Sequence, residues 1–465
     1  MQGKSYSIDL DELQPEERGL ATITHPVFKE IAFMNLEILT GVKQIPGTEA
    51  DLTMTPPNMN PLLENALKVI GIQQFYSHQS EAWEALENGR SLTLVTPTAS
   101  GKSNCFVPQA LQRALTKNQT TLLIYPLKVL VADQYAKVVT LNEALPPASR
   151  LTLAQLTGDV SLEVRRAHFQ GTRSPDLILA SPDVLHHLLY HTQEQEYELW
   201  RDFLRRLGLI VLDEAHAYQG SFGIHQANLM RRLRLARTYA GGNPETLQWV
   251  VSTATIGNPL ELSSQFTGLP TSSITLLDRS GAKRHERTLL TFKPQKSPNY
   301  ITANLIASLC QRGLKGLVFV NSRHTAKAIC SLVYAQAEGT TPVDIFHGSL
   351  LPGRRNQLLA NLADGRLNAL ITTNCLEAGL DVPDLDFCLI RGATNLNSFW
   401  QRSGRCGRAN PGLLLFVPDL NNPIDFYYGS DPERFFQEPE KVKLNPDYPS
   451  ILARHLLCAG AEGGL

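Results

Sequence analysis

None of the seven cysteines stands in a CxxC pair. Cys105, Cys310, Cys330, Cys375, Cys388, Cys406 and Cys458 are scattered along the chain. This spacing argues against a disulfide framework and a zinc site within these residues, and it fits a reducing, cytoplasmic setting. Long apolar runs are missing as well. No stretch reaches the ~20 residues needed to cross a bilayer, so no membrane is expected as a partner. The opening MQGKSYSIDLDEL is polar and acidic and has no signal-peptide core. An overall charge of one sign is lacking too, since 43 Lys+Arg against 44 Asp+Glu leave −1. The balance hides a gradient: residues 201–418 hold 24 basic against 14 acidic side chains, and the first hundred hold 6 against 13. A basic middle is compatible with a polyanion-binding surface, although an unevenly charged solvated surface would look the same.

At 465 residues the chain is too long for one ordinary domain, and 43% hydrophobic content gives it a sizeable core. Residues 1–58 lack sustained periodicity and read as an N-terminal extension, with VFKEIAFMNLEIL as its best helix. Beyond them, strand-like runs alternate with amphipathic stretches: SLTLVT, TLLIYP, RLTLAQLT, DLILAS, LGLIVLDE and LQWVVSTAT. After a Ser/Lys/Arg-rich stretch at 271–298 the alternation restarts with GLKGLVFVNS, PVDIFHG, LNALITTN, LDFCLIRG and GLLLFVP. Two successive parallel α/β units are expected, over 59–275 and 276–418, facing each other across a cleft. Residues 419–465 form a linking segment that ends in the helical run ILARHLLCAG.

The first unit is organised around LTLVTPTASGKS, residues 92–103. A short strand, a small-residue loop through Thr98, Ala99, Ser100 and Gly101, then Lys102, Ser103 and a helix form a cradle for nucleotide phosphates. Lys102 would reach the β- and γ-phosphates of ATP, and the Ser103 hydroxyl would ligate Mg²⁺. The first glycine of the usual pattern is replaced by Thr96. A second station, LGLIVLDEAHAY, brings Asp213 and Glu214 to the end of an apolar strand. Asp213 suits the metal and Glu214 the base that deprotonates the attacking water. In a third station, QRSGRCGR, Arg402, Arg405 and Arg408 share one face if the segment is helical, and an arginine there can stabilise charge developing on a γ-phosphate.

These stations in this order resemble the motif set of superfamily 2 helicases over about residues 60–418. The resemblance implies two tandem RecA-like domains with parallel sheets flanked by helices, driven by ATP and Mg²⁺. It implies catalytic roles for Lys102, Asp213, Glu214, Gln401, Arg405 and Arg408. Tyr76 and Gln79 would meet the adenine, and Gly379 and Asp381 would complete the nucleotide site. Single-strand contacts would come from Pro126, Lys128, Thr157, Gly158, Ser181, Pro182, Ser322, Arg323 and Thr372. His216, Thr253 and Thr255 would couple hydrolysis to movement.

YSHQSEA, DEAHAYQGSFGIH and the tail from IDFYYG to HLLCAGAE resemble more narrowly the MrfA-type and Hrq-type RecQ-like DNA helicases. That likeness implies a DNA-repair helicase moving 3′ to 5′ on single-stranded or forked DNA. In that family the tail leads into a winged-helix region and a four-cysteine zinc domain, both beyond Leu465. An RNA helicase, or a nucleotide-gated binding module without unwinding, stays open as an alternative, and no oligomeric state is implied. Outside these motifs, Arg231, Arg232, Arg234 and Arg237 read mainly as a solvated helix face, and His187 and His191 as structural histidines.

Overall fold

The computed structural model describes residues 19–97, 100–169, 171–192, 194, 197–336, 342–376, 384–392 and 395–463. In chain order the strands begin with β1 (Leu39–Ile45), followed by a two-residue ladder of β2 (Leu52–Thr53) and β3 (Phe75–Tyr76). Next come β4 (Ser91–Val95), β5 (Thr120–Ile124), β6 (Leu153–Leu156), β7 (Leu177–Ala180), β8 (Leu207–Leu212), β9 (Gln248–Thr253) and β10 (Ile274–Leu277). The remainder are β11 (Arg287–Phe292), β12 (Gly316–Val320), β13 (Val343–Phe346), β14 (Ala369–Thr372), β15 (Phe387–Arg391) and β16 (Gly412–Val417).

One sheet runs β10-β4-β9-β8-β5-β7-β6, parallel throughout. Every residue of β4, β5, β7, β8 and β9 is buried, as a sheet covered on both faces requires. On one face Trp200, Phe203, Trp249 and Phe266 fill the core. The second sheet runs β1-β11-β16-β15-β12-β14-β13, with only β1 antiparallel. Its two faces bury separate clusters, one around Phe292, Phe387 and Leu389 and one around Phe319, Phe399 and Phe435.

The expected strands are all present, but the units are discontinuous rather than consecutive. Residues 50–282 and 439–463 form one compact unit, and 19–49 and 283–438 the other. Part of the expected N-terminal extension is therefore integral to the second sheet. After the helix Pro26–Met34 the chain enters β1, paired from Leu39↔Phe292 to Ile45↔Arg287. β1 is an edge strand with every residue half-buried, so its apolar alternation is too weak to read. β10 spans the expected boundary at 275/276, and β11 lies inside the stretch whose Lys and Arg residues suggested a linker.

The expected tail likewise divides, and its helix Pro449–Glu462 packs on the first-sheet unit. There the arginine-rich helix Gly220–Tyr239 departs from the solvated-face expectation. Arg232 and Arg237 are buried. Arg232 Nε donates to Glu462 Oε2 at 3.0 Å, and its Nη2 also bonds the Glu462 carboxylate. Arg237 Nε donates to Leu207 O at 2.7 Å, while Arg231 pairs with Asp447 at 2.8 Å. Arg232 Nη1 also donates to His455 Nδ1 (3.2 Å) and His186 Nδ1 (2.6 Å). His455 therefore carries its proton on Nε2, which donates to His225 Nδ1 at 3.0 Å. His187 and His191 bond each other at 3.1 Å, and His191 bonds Glu194 at 2.6 Å, as structural histidines do.

Removing one member of a buried ion pair strands the other charge. Glu462→Ala is expected to destabilise the first-sheet unit by about 3–5 kcal/mol, read as a lowered thermal midpoint, whereas Arg232→Met with Glu462→Leu loses much less. Burial, followed by Arg232, His225 and His186, pushes His455 down to about 4 from an ordinary 6.5. The unfolded chain then binds the extra proton as pH falls from 6.5 towards 4. Stability is fully retained above that window and declines within it. His455→Asn should flatten the decline in thermal unfolding measured between pH 7 and 4.

Candidate functional site

A parallel sheet delivers the C-terminal ends of all its strands to one edge, where loops can hold ligands. In the first sheet the central neighbours β4, β9 and β8 end at the phosphate loop, Thr253 and Asp213. The adjacent β5, β7 and β6 lead to Pro126 and Lys128, to Ser181 and Pro182, and to Thr157 and Gly158. Nucleotide-type and strand-type residues thus share one edge of one sheet. Ser181 is buried and its hydroxyl has no partner, while Lys128 is exposed and paired with Asp159 at 2.9 Å.

The Thr96 departure has a structural counterpart. Thr96 is fully buried, and its hydroxyl bonds the Ser100 hydroxyl at 2.7 Å, spanning the loop. Gly101 adopts φ 75°, and a Cβ there would stand 2.6 Å from Gln79 Nε2. Gln79 is committed to backbone at both ends: Nε2 donates to Gly101 O (3.0 Å) and Oε1 accepts from Tyr76 N–H (3.0 Å). The Tyr76 ring stacks beside His78, centroids 5.9 Å apart. Lys102–Cys105 is a 3-10 turn, and the α-helix starts only at Val107. Lys102 Nζ donates to Thr253 O at 2.9 Å, and Ser103 Oγ to Gln134 Oε1 at 2.9 Å. Thr98 and Ala99 lie outside the described residues.

Asp213 and Glu214 follow β8 directly. Burial, then the neighbouring Glu214 charge, pushes Asp213 up to about 6 against the opposing pull of Lys102. Glu214 sits at φ 49°, a left-handed conformation costing a side-chain-bearing residue about 1–3 kcal/mol. Its amide donates to Asp213 Oδ1 at 2.9 Å, and its carbonyl accepts from Ala217 N–H at 2.9 Å. Glu214 Oε2 is buried with no hydrogen-bond partner. His216 Nδ1 lies 3.5 Å from it but accepts from Ala254 N–H at 3.1 Å, which joins DEAH to the Thr253–Thr255 segment. Thr253 is buried, and Thr255 is exposed. Two adjacent carboxylates, the buried Asp213 with its pKa raised and the half-buried Glu214 with one oxygen lacking a hydrogen bond, fit a dication and a water beside Lys102 and Ser103.

Several residues around the site have no role that the motifs assign, although His78 lies in YSHQSEA and Tyr218 in LGLIVLDEAHAY. Gln134 reaches Ser103, and His78 holds the phosphate loop from behind, with Nε2 3.1 Å from Ser100 O. Tyr125 and Tyr218 are buried with unpartnered hydroxyls, both pushed upward by burial and then by Asp213. Their aromatic character made them indistinguishable from ordinary core.

In the other unit, Ser322 and Arg323 follow β12, and Thr372 ends the adjacent β14. Gln401 and Arg402 lie on the helix Leu396–Ser403, which stops before Arg405 and Arg408. Gly404 caps it, and Gly407 turns at φ 76°, so the three arginines do not share a helical face. Gln401, Arg402 and Arg405 are buried, and Arg408 is half-buried. Gly379 and Asp381 lie outside the described residues.

Residues 76–262 match the DEAD/DEAH box helicase family, and residues 299–410 match the helicase conserved C-terminal domain. With both matches in this order on two parallel-sheet units, the chain belongs to the superfamily 2 helicases, in their MrfA/Hrq-type group. It is 30% identical over 438 residues to the ATP-dependent helicase YprA of Bacillus subtilis, covering 90% of this chain and 56% of that protein. To the ATP-dependent helicase hrq1 of Schizosaccharomyces pombe it is 26% identical over 477 residues, 98% of this chain and 44% of that one. The chain thus spans about half the length of these curated relatives. In fold it is similar to the DUF1998 helicase MrfA in a crystal structure bound to DNA and AMPPNP. The TM-score is 0.83 at 29% identity, covering 93% of this chain and 61% of that one. Among the described residues no helix is long and apolar enough to cross a membrane.

Gly101→Ala would place a Cβ against Gln79 and force a left-handed alanine. About a tenfold loss of fluorescent ADP affinity in a titration is the expected outcome.

Proposed function

We infer that this chain is the motor core of an ATP-dependent DNA helicase or translocase that travels on a single strand. The carrying observation is Glu214, strained and half-buried, with a buried carboxylate oxygen that makes no hydrogen bond beside Asp213, on the sheet edge that also carries Pro126, Thr157 and Ser181. The likeness to MrfA, solved with DNA, favours DNA over RNA; likeness to the RNA-bound Dbp5 of S. cerevisiae is 17% identical and concerns fold alone. With this reading go 3′ to 5′ travel and a part in DNA repair, which the family resemblance implies, and a cytoplasmic setting, which the scattered cysteines fit.

In this reading Lys102 leaves Thr253 O to hold the β- and γ-phosphates. Ser103 and Asp213 hold Mg²⁺, which when bound neutralises charge developing on the phosphates. Glu214 orients a water and accepts its proton through Oε2. Gln401, Arg405 and Arg408 act on the γ-phosphate from the second unit. Gly379 and Asp381 complete the nucleotide site there, and Tyr76 and Gln79 meet the base. His216 passes the state of Glu214 to Ala254, so that Thr253 and Thr255 respond to hydrolysis. Pro126, Lys128, Thr157, Gly158, Ser181, Pro182, Ser322, Arg323 and Thr372 hold the strand mainly by phosphate, giving weak sequence preference and strong salt dependence.

Steady-state ATPase with and without single-stranded DNA tests this. DNA should stimulate turnover, and Glu214→Gln should lower kcat by about 10²–10⁴-fold. Stimulation by RNA alone would replace DNA with RNA. Nucleotide binding without any turnover would leave a nucleotide-gated binding module.

A further inference from the structure

His78 is 1% exposed, and neither ring nitrogen faces solvent. Nε2 lies 3.1 Å from Ser100 O, in the phosphate loop, and Nδ1 lies 3.2 Å from Gly281 N. A carbonyl only accepts and a backbone amide only donates. Nε2 therefore carries the proton and Nδ1 is bare, so the ring is a neutral connector between two backbone groups. At one end is the loop that would hold the phosphates. At the other is the residue just before Ala282, where the chain leaves the first-sheet unit for Lys283.

Gly281 is held firmly enough to register a push from the ring. A Cβ there would stand 2.5 Å from Ser77 Oγ and 2.9 Å from Asp51 O, so no side chain fits. Gly281 O accepts from Asp51 N–H at 2.8 Å, and Asp51 O accepts from Ser77 N–H at 2.9 Å. Asp51 in turn lies one residue past a second crossing, at Glu49/Ala50. Ser77 and His78 thus tie two of the three crossings to one turn of chain and to the phosphate loop.

We propose that His78 is a positioning residue that carries the conformation of the phosphate loop to the chain crossing at Gly281, so that a nucleotide in the loop stiffens the crossing. The proposal rests on the nucleotide site described above. Gln79 on Gly101 O and Thr96 on Ser100 Oγ hold the loop independently, so losing His78 weakens nucleotide binding without abolishing it. Glutamine can supply the same pair of groups, a bare acceptor and an N–H donor on one planar amide.

Hydrogen exchange of the peptide spanning Gly281–Lys283 tests it in the full chain, with and without Mg²⁺ and ADP or AMPPNP, alongside fluorescent ADP titration. In the wild type, nucleotide should slow exchange at Gly281 by about five- to tenfold. His78→Ala should still bind ADP, within about tenfold of wild type, and lose the slowing. His78→Gln should bind and regain it. Unchanged Gly281 exchange in ADP-bound wild type overturns the proposal and leaves the nucleotide site standing, as does slowing that survives in His78→Ala. A wild type that binds no ADP overturns the nucleotide site and this proposal with it. Should His78→Ala not fold, a folded, ADP-binding His78→Gln without slowing overturns the proposal equally.

Discussion

A parallel sheet buried on both faces can offer its backbone ends to a ligand only along its edges, and the edge at the strands' C-terminal ends carries the chemistry here. Once β4, β9 and β8 are neighbours, the phosphate loop, Thr253 and Asp213 must meet, however far apart they lie in sequence. The same constraint sets β5, β7 and β6 beside them and lines up the residues expected to hold a strand. Strand order in one sheet thereby decides which side chains can share charge and which can share a polymer.

Within that frame the site relies on backbone groups as much as on side chains. Lys102 rests on a carbonyl, Gln79 spans an amide and a carbonyl, and His216 and His78 each accept from a backbone N–H. Accepting at one nitrogen leaves a buried histidine neutral, which avoids the cost of burying another cation beside Lys102. Charge is concentrated instead in Asp213 and Glu214, where burial and the neighbouring Glu214 charge raise the energy of ionised Asp213 and make a nearby cation more favourable. The strained backbone at Glu214 belongs to the same economy of position. It aims a carboxylate that a relaxed turn would point elsewhere.

Much of this was legible in the amino-acid order. The long buried strands announced themselves because both faces are apolar, and Lys102, Asp213 and Glu214 because their spacing from those strands is chemically specific. Three strands, β1, β10 and β11, were not legible. LTGVKQI is half-exposed throughout, ITLL is four residues long, and RTLLTF follows a basic stretch that resembles a loop. Burial of Arg232 could not be foreseen either, since its partner Glu462 lies 230 residues away and nothing local distinguishes it from the half-buried Arg231 and Arg234. His78 was hidden for a related reason: its two partners are backbone atoms, which leave no trace in composition. The arginine segment was half legible, its glycines signalling a break in the helix without saying where the chain would turn.

The discontinuous units also impose an order on synthesis. β1 pairs with β11, Leu39 opposite Phe292, and nearly all of the chain between them belongs to the other unit. During translation at about 5–20 residues per second, β1 waits roughly 13–50 s for its partner to emerge. Its half-polar surface, with Thr40, Lys43 and Gln44 along it, keeps an unpaired strand compatible with water for that time. The feature that made β1 hard to recognise is thus what lets a nascent chain hold it in reserve.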